Sequence, residues 1–189
     1  MILSQFQSVG RDLFARGLVS STGGNLSIRL GDRIIITRRG SMLGYLEEHD
    51  LIETGLNKND RSTPLASIEL SVHRLIYQKT SAQAIVHAHP PNAVALSLVE
   101  TEIVPNCIEG LSLVGRVPVL GWNMEVKPGC LGDIIAKALE QCRIVMVHGH
   151  GSFGTGQLLE EAYNCTTALE ESCHVICLLK SLQPKPIKK

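Results

Sequence analysis

The sequence carries no net charge: 18 lysines and arginines face 18 aspartates and glutamates over 189 residues. That balance argues against a general nucleic-acid or acidic-membrane binder, which needs a basic surplus to displace counterions. No apolar run approaches the roughly 18 residues of a membrane-spanning helix, and the first residues lack a basic stretch followed by an apolar core. The six cysteines include no Cys-x-x-Cys pair and no zinc-ribbon spacing. Cys107, Cys130, Cys142, Cys165, Cys173 and Cys177 therefore read as buried, reduced thiols. The chain also lacks a Walker loop, a Rossmann fingerprint, an internal repeat and any linker long enough to separate domains. What these absences leave is a cytoplasmic globular protein with neither nucleic acid nor membrane as partner.

Hydrophobic residues at 44% and charged residues at 19% exclude a disordered chain. A chain of this length buries about 70% of its unfolded surface, so neither disulfide nor metal is needed for folding. Ile2, Phe6, Val9 and Leu13 recur at helical spacing, with Gly17 as the stop. Leu26, Ile28 and Leu30 alternate as a strand that turns at Gly31-Asp32 and returns over Arg33 to Thr37. A helix entered around Thr63 to Ser67 carries the stripe Ile68, Val72, Leu75 and Ile76. Ala84 to His89 and Ile144 to His148 read as short buried strands, and Val117 to Leu120 as a weaker one. Pro90-Pro91 starts a helix through Leu98, and Leu131 to Leu139 forms another. Gly149, Gly151, Gly154 and Gly156 suggest a loose connection before a long helix from about Gln157 to Leu182. Ala162, Thr166, Leu169, Cys173 and Ile176 line one face of that helix. Strands and helices interspersed in this way give a mixed sheet covered by helices on both faces. Residues 1–182 read as a single domain and 183–189 as a basic, mobile tail.

Four of the seven histidines form two His-x-His pairs, His87-Ala88-His89 and His148-Gly149-His150. Residues two apart on a strand share a face, so each pair can aim two imidazoles at one point. A catalytic metal site needs three protein ligands and an open position, one imidazole fewer than these pairs offer. The alternative for each histidine is an ordinary hydrogen-bonded structural role. Glu69 precedes His73 by one helical turn and borders the apolar stripe. It is either a helix N-terminal acid or, beside a metal, a base for carbon acids next to a carbonyl. Gly23-Gly24-Asn25 and Arg38-Arg39-Gly40 are either anion cradles or a turn and a solvated charge pair.

In order along the chain, these segments resemble the class II aldolase/adducin family. The resembling stretches are Ser21-Thr22-Gly23-Gly24-Asn25-Leu26-Ser27, Ile36-Thr37-Arg38-Arg39-Gly40, Ser67-Ile68-Glu69, Val86-His87-Ala88-His89 and His148-Gly149-His150-Gly151. Size and motif order are most similar to the L-fuculose-phosphate aldolases and short archaeal-type relatives of that family. The resemblance implies an α/β fold, a three-layer α/β/α sandwich around a largely antiparallel central sheet. It also implies a homotetramer with active sites between subunits and one zinc-type ion per subunit, for which manganese, cobalt or iron can substitute. His87, His89 and His150 match the family's metal ligands, and His148 matches a position the family does not need. Glu69 matches the acid that contacts the metal site and serves as acid/base once substrate is bound. Gly24, Asn25, Arg39, Gly40, Ser67 and Ile68 match the phosphate contacts.

The implied activity is a lyase reaction of carbohydrate metabolism, the metal-dependent cleavage of a ketose 1-phosphate such as L-fuculose 1-phosphate. The products would be dihydroxyacetone phosphate and a short, lactaldehyde-like aldehyde. Related alternatives are dehydration of a methylthioribulose-1-phosphate-type substrate and a noncatalytic, adducin-like binding module. Thr37-Arg38-Arg39-Gly40 stands where the family commonly has Thr-Pro-Thr-Gly, and Ile68 replaces a small hydroxyl residue. Glu109 occupies a position where the fuculose-phosphate enzymes use a neighbouring subunit's tyrosine, and no aromatic residue follows Tyr163. These departures argue against simple transfer of substrate specificity.

Overall fold

A computed structural model of the chain describes residues 1–121 and 131–182; Cys130 and the expected tail at 183–189 lie outside them. Helix α1 (Ile2–Ala15) buries Phe6, Val9 and Leu13, the residues spaced for one face. It ends in a Schellman motif: the Leu18 and Gly17 amides donate to the Leu13 and Phe14 carbonyls, with Gly17 at φ +68°. Strands β1 (Asn25–Leu30) and β2 (Arg33–Thr37) form the expected hairpin about Gly31, also at positive φ. β3 (Leu51–Gly55) joins the edge of β2. Helix α2 (Leu70–Lys79) leads to β4 (Ala84–Ala88), and α3 (Pro91–Ser97) starts on the proline pair. β5 (Glu102–Ile103), α4 (Ile108–Leu113), β6 (Val117–Leu120), α5 (Leu131–Ala138), β7 (Ile144–Val147), β8 (Gly151–Gly156) and α6 (Leu159–Leu182) complete the order.

The eight strands form one sheet in the order β3-β2-β1-β4-β8-β7-β6-β5. Only the β6–β7 pair is parallel, so the sheet is largely antiparallel. Ile34, Ile36, Ile85, Val145 and Phe153 point to the face covered by α2 and α5. Leu26, Ala84, Val86 and Ala88 point to the opposite face, under α1 and α6. Ile144, Met146, Val117 and Val119 continue that second layer beneath α3 and α6. Strand alternation therefore builds three layers, as the resemblance implied, with two helices on one face and the remainder on the other.

The elements depart from the sequence reading at β8, at the start of α2, and at β3, β5 and α4. The glycines from Gly151 to Gly156 form a buried central strand rather than a loose connection. They are small because neighbours come close: a Cβ on Gly156 would sit 2.7 Å from Glu161 Cβ, and one on Gly154 2.9 Å from the Ala162 carbonyl oxygen. Helix α2 begins at Leu70, so Ile68 lies outside its buried stripe and is 73% exposed. The buried face is Leu70, His73, Ile76 and Tyr77 instead. β3, β5 and α4 were not foreseen; β5 is two residues long and α4 six, too short for a periodic signal. Among the described cysteines, Cys165 and Cys173 on α6 are buried as small apolar groups, whereas Cys107, Cys142 and Cys177 are only partly buried, short of the burial expected for all six.

Candidate active site

The first residue of β1 and the end of β4 meet in register, with Asn25 opposite His87. By strand alternation both face α2, and Ser27 follows Asn25 on the same side. His89 lies just past β4, where its amide donates to the Leu18 carbonyl at 2.7 Å. Pro90 and Pro91 end the strand and begin α3 there. Gly151 makes room for the histidine pair: a Cβ there would lie 2.4 Å from the Ala88 carbonyl oxygen and 2.5 Å from His89 Cδ2. The second pair does not behave like the first. His148 and His150 flank Gly149 in the turn between β7 and β8, where φ +62° breaks the two-residue parity of a strand. Only His150 joins the cluster, and its ligand atom lies within 4.8 Å of those of His87 and His89.

The protons of this cluster can be assigned from its partners. His87 Nδ1 lies 2.9 Å from the Ser152 carbonyl oxygen, which can only accept, so the ring proton sits on Nδ1. The lone pair on Nε2 then faces His89 Nε2 at 3.0 Å and the Glu69 carboxylate at 3.2 Å. Burial holds His87 down to about 3 against the opposing pull of Glu69, so the ring is neutral. His89 is also lowered, first by burial and then by the neighbouring His150. Glu69 is the residue immediately before α2, and its side chain turns into the site rather than capping the helix. Its carboxylate receives Asn25 Nδ2 at 2.6 Å and meets His150 Nε2 at 3.4 Å. Burial would raise Glu69, but the facing histidines, His150 first and then His87, together with the Asn25 amide outweigh it and keep the carboxylate ionised. Acceptor lone pairs from His87 and Glu69 thus converge, and neutral imidazoles with a carboxylate are the donor set that suits a divalent transition metal.

These groups open into a cleft of about 180 Å³ lined also by Gly24, Asn25, Arg39, Gly40, Ser67 and Ile68. Every residue singled out from the sequence for phosphate or metal contact therefore borders one space. Their states differ. Arg38 is held by Asp50 through Nε at 3.0 Å and Nη2 at 2.8 Å. Arg39 is exposed, and its guanidinium makes no hydrogen bond or ion pair among the described residues. Gly40 and Gly24 both have positive φ, at +72° and +76°. Ser67 is nearly buried and its hydroxyl accepts the Glu69 amide at 3.3 Å. Asn25 gives its amide group to Glu69, which makes it a partner of the acid as well as a wall of the cleft. Glu109 is exposed on α4 and does not border this cleft.

Several contributors were not foreseen. Phe153 stacks on His87 with ring centroids 4.2 Å apart. Ser27 and Tyr77 bond to each other, and Ser27 to His73, directly behind Glu69. Thr22 and Ser41 complete the cleft wall. Ser27 could have been found, since it alternates with Asn25 on β1, and Tyr77 since it lies four residues beyond His73. Phe153 could not, because it belongs to a strand disguised by glycine.

A family model described as Class II Aldolase and Adducin N-terminal domain matches residues 4–177. An L-fuculose phosphate aldolase of Methanocaldococcus jannaschii is 31% identical over 175 residues, covering 92% of this chain and 94% of that protein. A 3-oxo-tetronate 4-phosphate decarboxylase of Pectobacterium atrosepticum is 31% identical across 93% of this chain and 84% of its own. Among solved structures, the L-fuculose-1-phosphate aldolase of Thermus thermophilus superposes with a TM-score of 0.88. It is 36% identical, and the match covers 97% of this chain and 98% of that one.

Proposed function

Since the chain belongs to the class II aldolase and adducin family, we propose that it is a metal-dependent aldolase cleaving a ketose 1-phosphate of the L-fuculose 1-phosphate type. The products are dihydroxyacetone phosphate and a short aldehyde, and the reaction is reversible. The observation that carries this reading is the convergence of His87, His89, His150 and Glu69 on the cleft that Arg39, Gly40 and Gly24 border. His87, His89 and His150 would hold the ion, zinc by preference for three imidazoles, with manganese, cobalt or iron as substitutes. When bound, the ion would supply Lewis-acid charge to the substrate's oxygens.

The chain's own residues divide the remaining work. Cleavage removes a proton from the C4 hydroxyl and adds one at C3, so the proton count balances. Glu69, ionised and held by Asn25, would take up the proton released from the C4 hydroxyl and deliver it at C3, and would run the same transfer in reverse in the synthetic direction. The Arg39 guanidinium and the backbone at Gly24 and Gly40 receive the phosphate, with Ser67 and Ile68 forming the wall beside it. None of the described residues lining the cleft is a lysine, which leaves no amine for a Schiff-base route. Exposed Ile108 and Leu111 on α4, and Leu178 and Leu179 on α6, favour burial against further subunits in the homotetramer we assign. Residues 1–182 act as one domain in this reading.

The test is a product screen with ketose 1-phosphates and metal-reconstituted protein. Release of dihydroxyacetone phosphate and an aldehyde, abolished by a chelator and restored by zinc, is the expected result. Release of carbon dioxide from a 3-oxo acid phosphate assayed in parallel would instead indicate decarboxylation, as in the Pectobacterium relative's named activity, and an unshortened diketone from a ketose 1-phosphate would indicate dehydration. Full activity in metal-free protein would overturn the proposal.

A further inference from the structure

Glu69, immediately before α2, and His73 and Tyr77 within it are spaced by four residues on one side of the helix. That face meets the side of β1 that carries Asn25 and Ser27. Tyr77 Oη lies 2.7 Å from Ser27 Oγ, Ser27 Oγ lies 2.7 Å from His73 Nδ1, and Asn25 Nδ2 lies 2.6 Å from Glu69 Oε2. Ser27 and His73 are wholly buried, Tyr77 and Asn25 nearly so. Two polar atoms in this group have no partner among the described residues, His73 Nε2 and Asn25 Oδ1.

The hydroxyl protons decide which His73 nitrogen is protonated. If Tyr77 donates to Ser27 and Ser27 donates to His73 Nδ1, both hydroxyl protons are used and the ring proton sits on Nε2. If the ring proton were on Nδ1, Ser27 would donate to Tyr77 and the buried Tyr77 hydroxyl proton would have no acceptor. An additional unpaired buried donor is disfavoured, so the first arrangement prevails. Burial lowers His73 to about 4 despite Glu69, consistent with a neutral ring. The two orphan atoms then become complementary: His73 Nε2–H is a donor, and Asn25 Oδ1 is an acceptor.

We propose that one buried water joins His73 Nε2–H to Asn25 Oδ1, completing a donor chain from Tyr77 through Ser27, His73 and Asn25 to the Glu69 carboxylate. His73 is thereby a positioning residue for Glu69, acting through Asn25 without touching substrate. Every link points its donor toward the carboxylate, so the links polarise one another in the same sense. A water between two otherwise unpaired buried groups is the ordinary way such groups are satisfied. The catalytic part of this inference rests on the reading of Glu69 as the proton-transfer group.

Long-range 1H–15N spectra of protein with 15N-labelled histidine, with His73 assigned through His73→Phe, read the proton directly. The expected result at pH 7 is a neutral ring protonated on Nε2; protonation on Nδ1 or an imidazolium would overturn the chain. A high-resolution crystal structure should hold a water bridging His73 Nε2 and Asn25 Oδ1, and direct evidence of dry space there would also overturn it. In kinetics, His73→Phe should lower kcat about tenfold, the scale of one hydrogen bond, with KM within about twofold. His73→Gln, whose amide can supply the donor, should recover most of that loss; equal losses in both variants would refute a positioning role. Tyr77→Phe, which removes a single oxygen, should fold and weaken the Nε2 preference, whereas an unchanged tautomer would count against the chain. Should the wild-type protein cleave no ketose phosphate, the spectra and the water still test the chain, so the two failures are distinguishable.

Discussion

Glu69 owes its ionised state to specific neighbours, and this makes its replacement informative. Glu69→Gln keeps the length and the hydrogen-bonding reach but removes the proton acceptor. Its kcat should fall by about 10²–10⁴, the usual contribution of a positioned general acid/base. Metal content should persist, because His87, His89 and His150 remain. Steady-state kinetics with metal analysis on the same sample checks this, and an unchanged kcat would remove Glu69 from the reaction. The two neighbouring arginines separate in the same way. Arg39 has no partner among the described residues, so Arg39→Ala should raise KM for a phosphorylated substrate by about 10- to 100-fold, the range of hydrogen bonds to a charged group, with little change in melting temperature. Arg38→Ala strips the buried Asp50 carboxylate of a two-nitrogen contact. It should cost about 1–3 kcal/mol of stability, measured by denaturant unfolding, with a smaller effect on KM. If both variants raised KM alike, the assignment of the phosphate contact to Arg39 would be wrong.

At the scale of elements, β8 explains both what the sequence revealed and what it concealed. The His87–His89 pair was legible because period-two spacing survives to the end of β4 and prolines mark the stop. Glu69 was legible through its place at the start of a helix with His73 one turn on. His148 was not separable from His150, because Gly149 at positive φ abolishes the strand parity on which the reading relied. β8 itself was hidden because glycine has low strand propensity, whereas here it answers to close approach by α6 and the histidines. Tertiary contact, invisible in local pattern, decided that element. Gly151→Ala tests the point: its Cβ meets the Ala88 carbonyl, which is backbone and cannot swing aside. The variant should lose about 1–3 kcal/mol, as overpacked cores do. Its metal affinity should fall as well, because His89 Cδ2 is the second atom in the way. Wild-type melting temperature together with wild-type metal affinity would show that β8 yields easily.

At the scale of the whole molecule, the buried site makes the fold sensitive to acid. Burial lowers His73 from 6.5 to about 4 despite the attraction of Glu69, and lowers His87 to about 3. In the unfolded chain these rings take up protons near 6.5; in the folded protein they resist until the pH is much lower. Between those limits the unfolded state holds more protons, so stability is complete above about pH 6.5 and declines as pH falls. The lowered carboxylates, Glu69 and Asp60, contribute in the same direction but only below their ordinary values of 4.5 and 3.8. The window from about 6.5 to 4.5 therefore belongs to the histidines. Each fully excluded proton there contributes a slope of about 1.4 kcal/mol per pH unit. Urea unfolding with a chelator present, so that metal does not hold the rings neutral, should show stability falling across that window. His73→Phe should start lower, because Ser27 loses a partner, yet fall with a shallower slope by up to one proton. Identical slopes in the two proteins would mean that His73 is protonated in the folded state, contradicting its burial as a neutral ring.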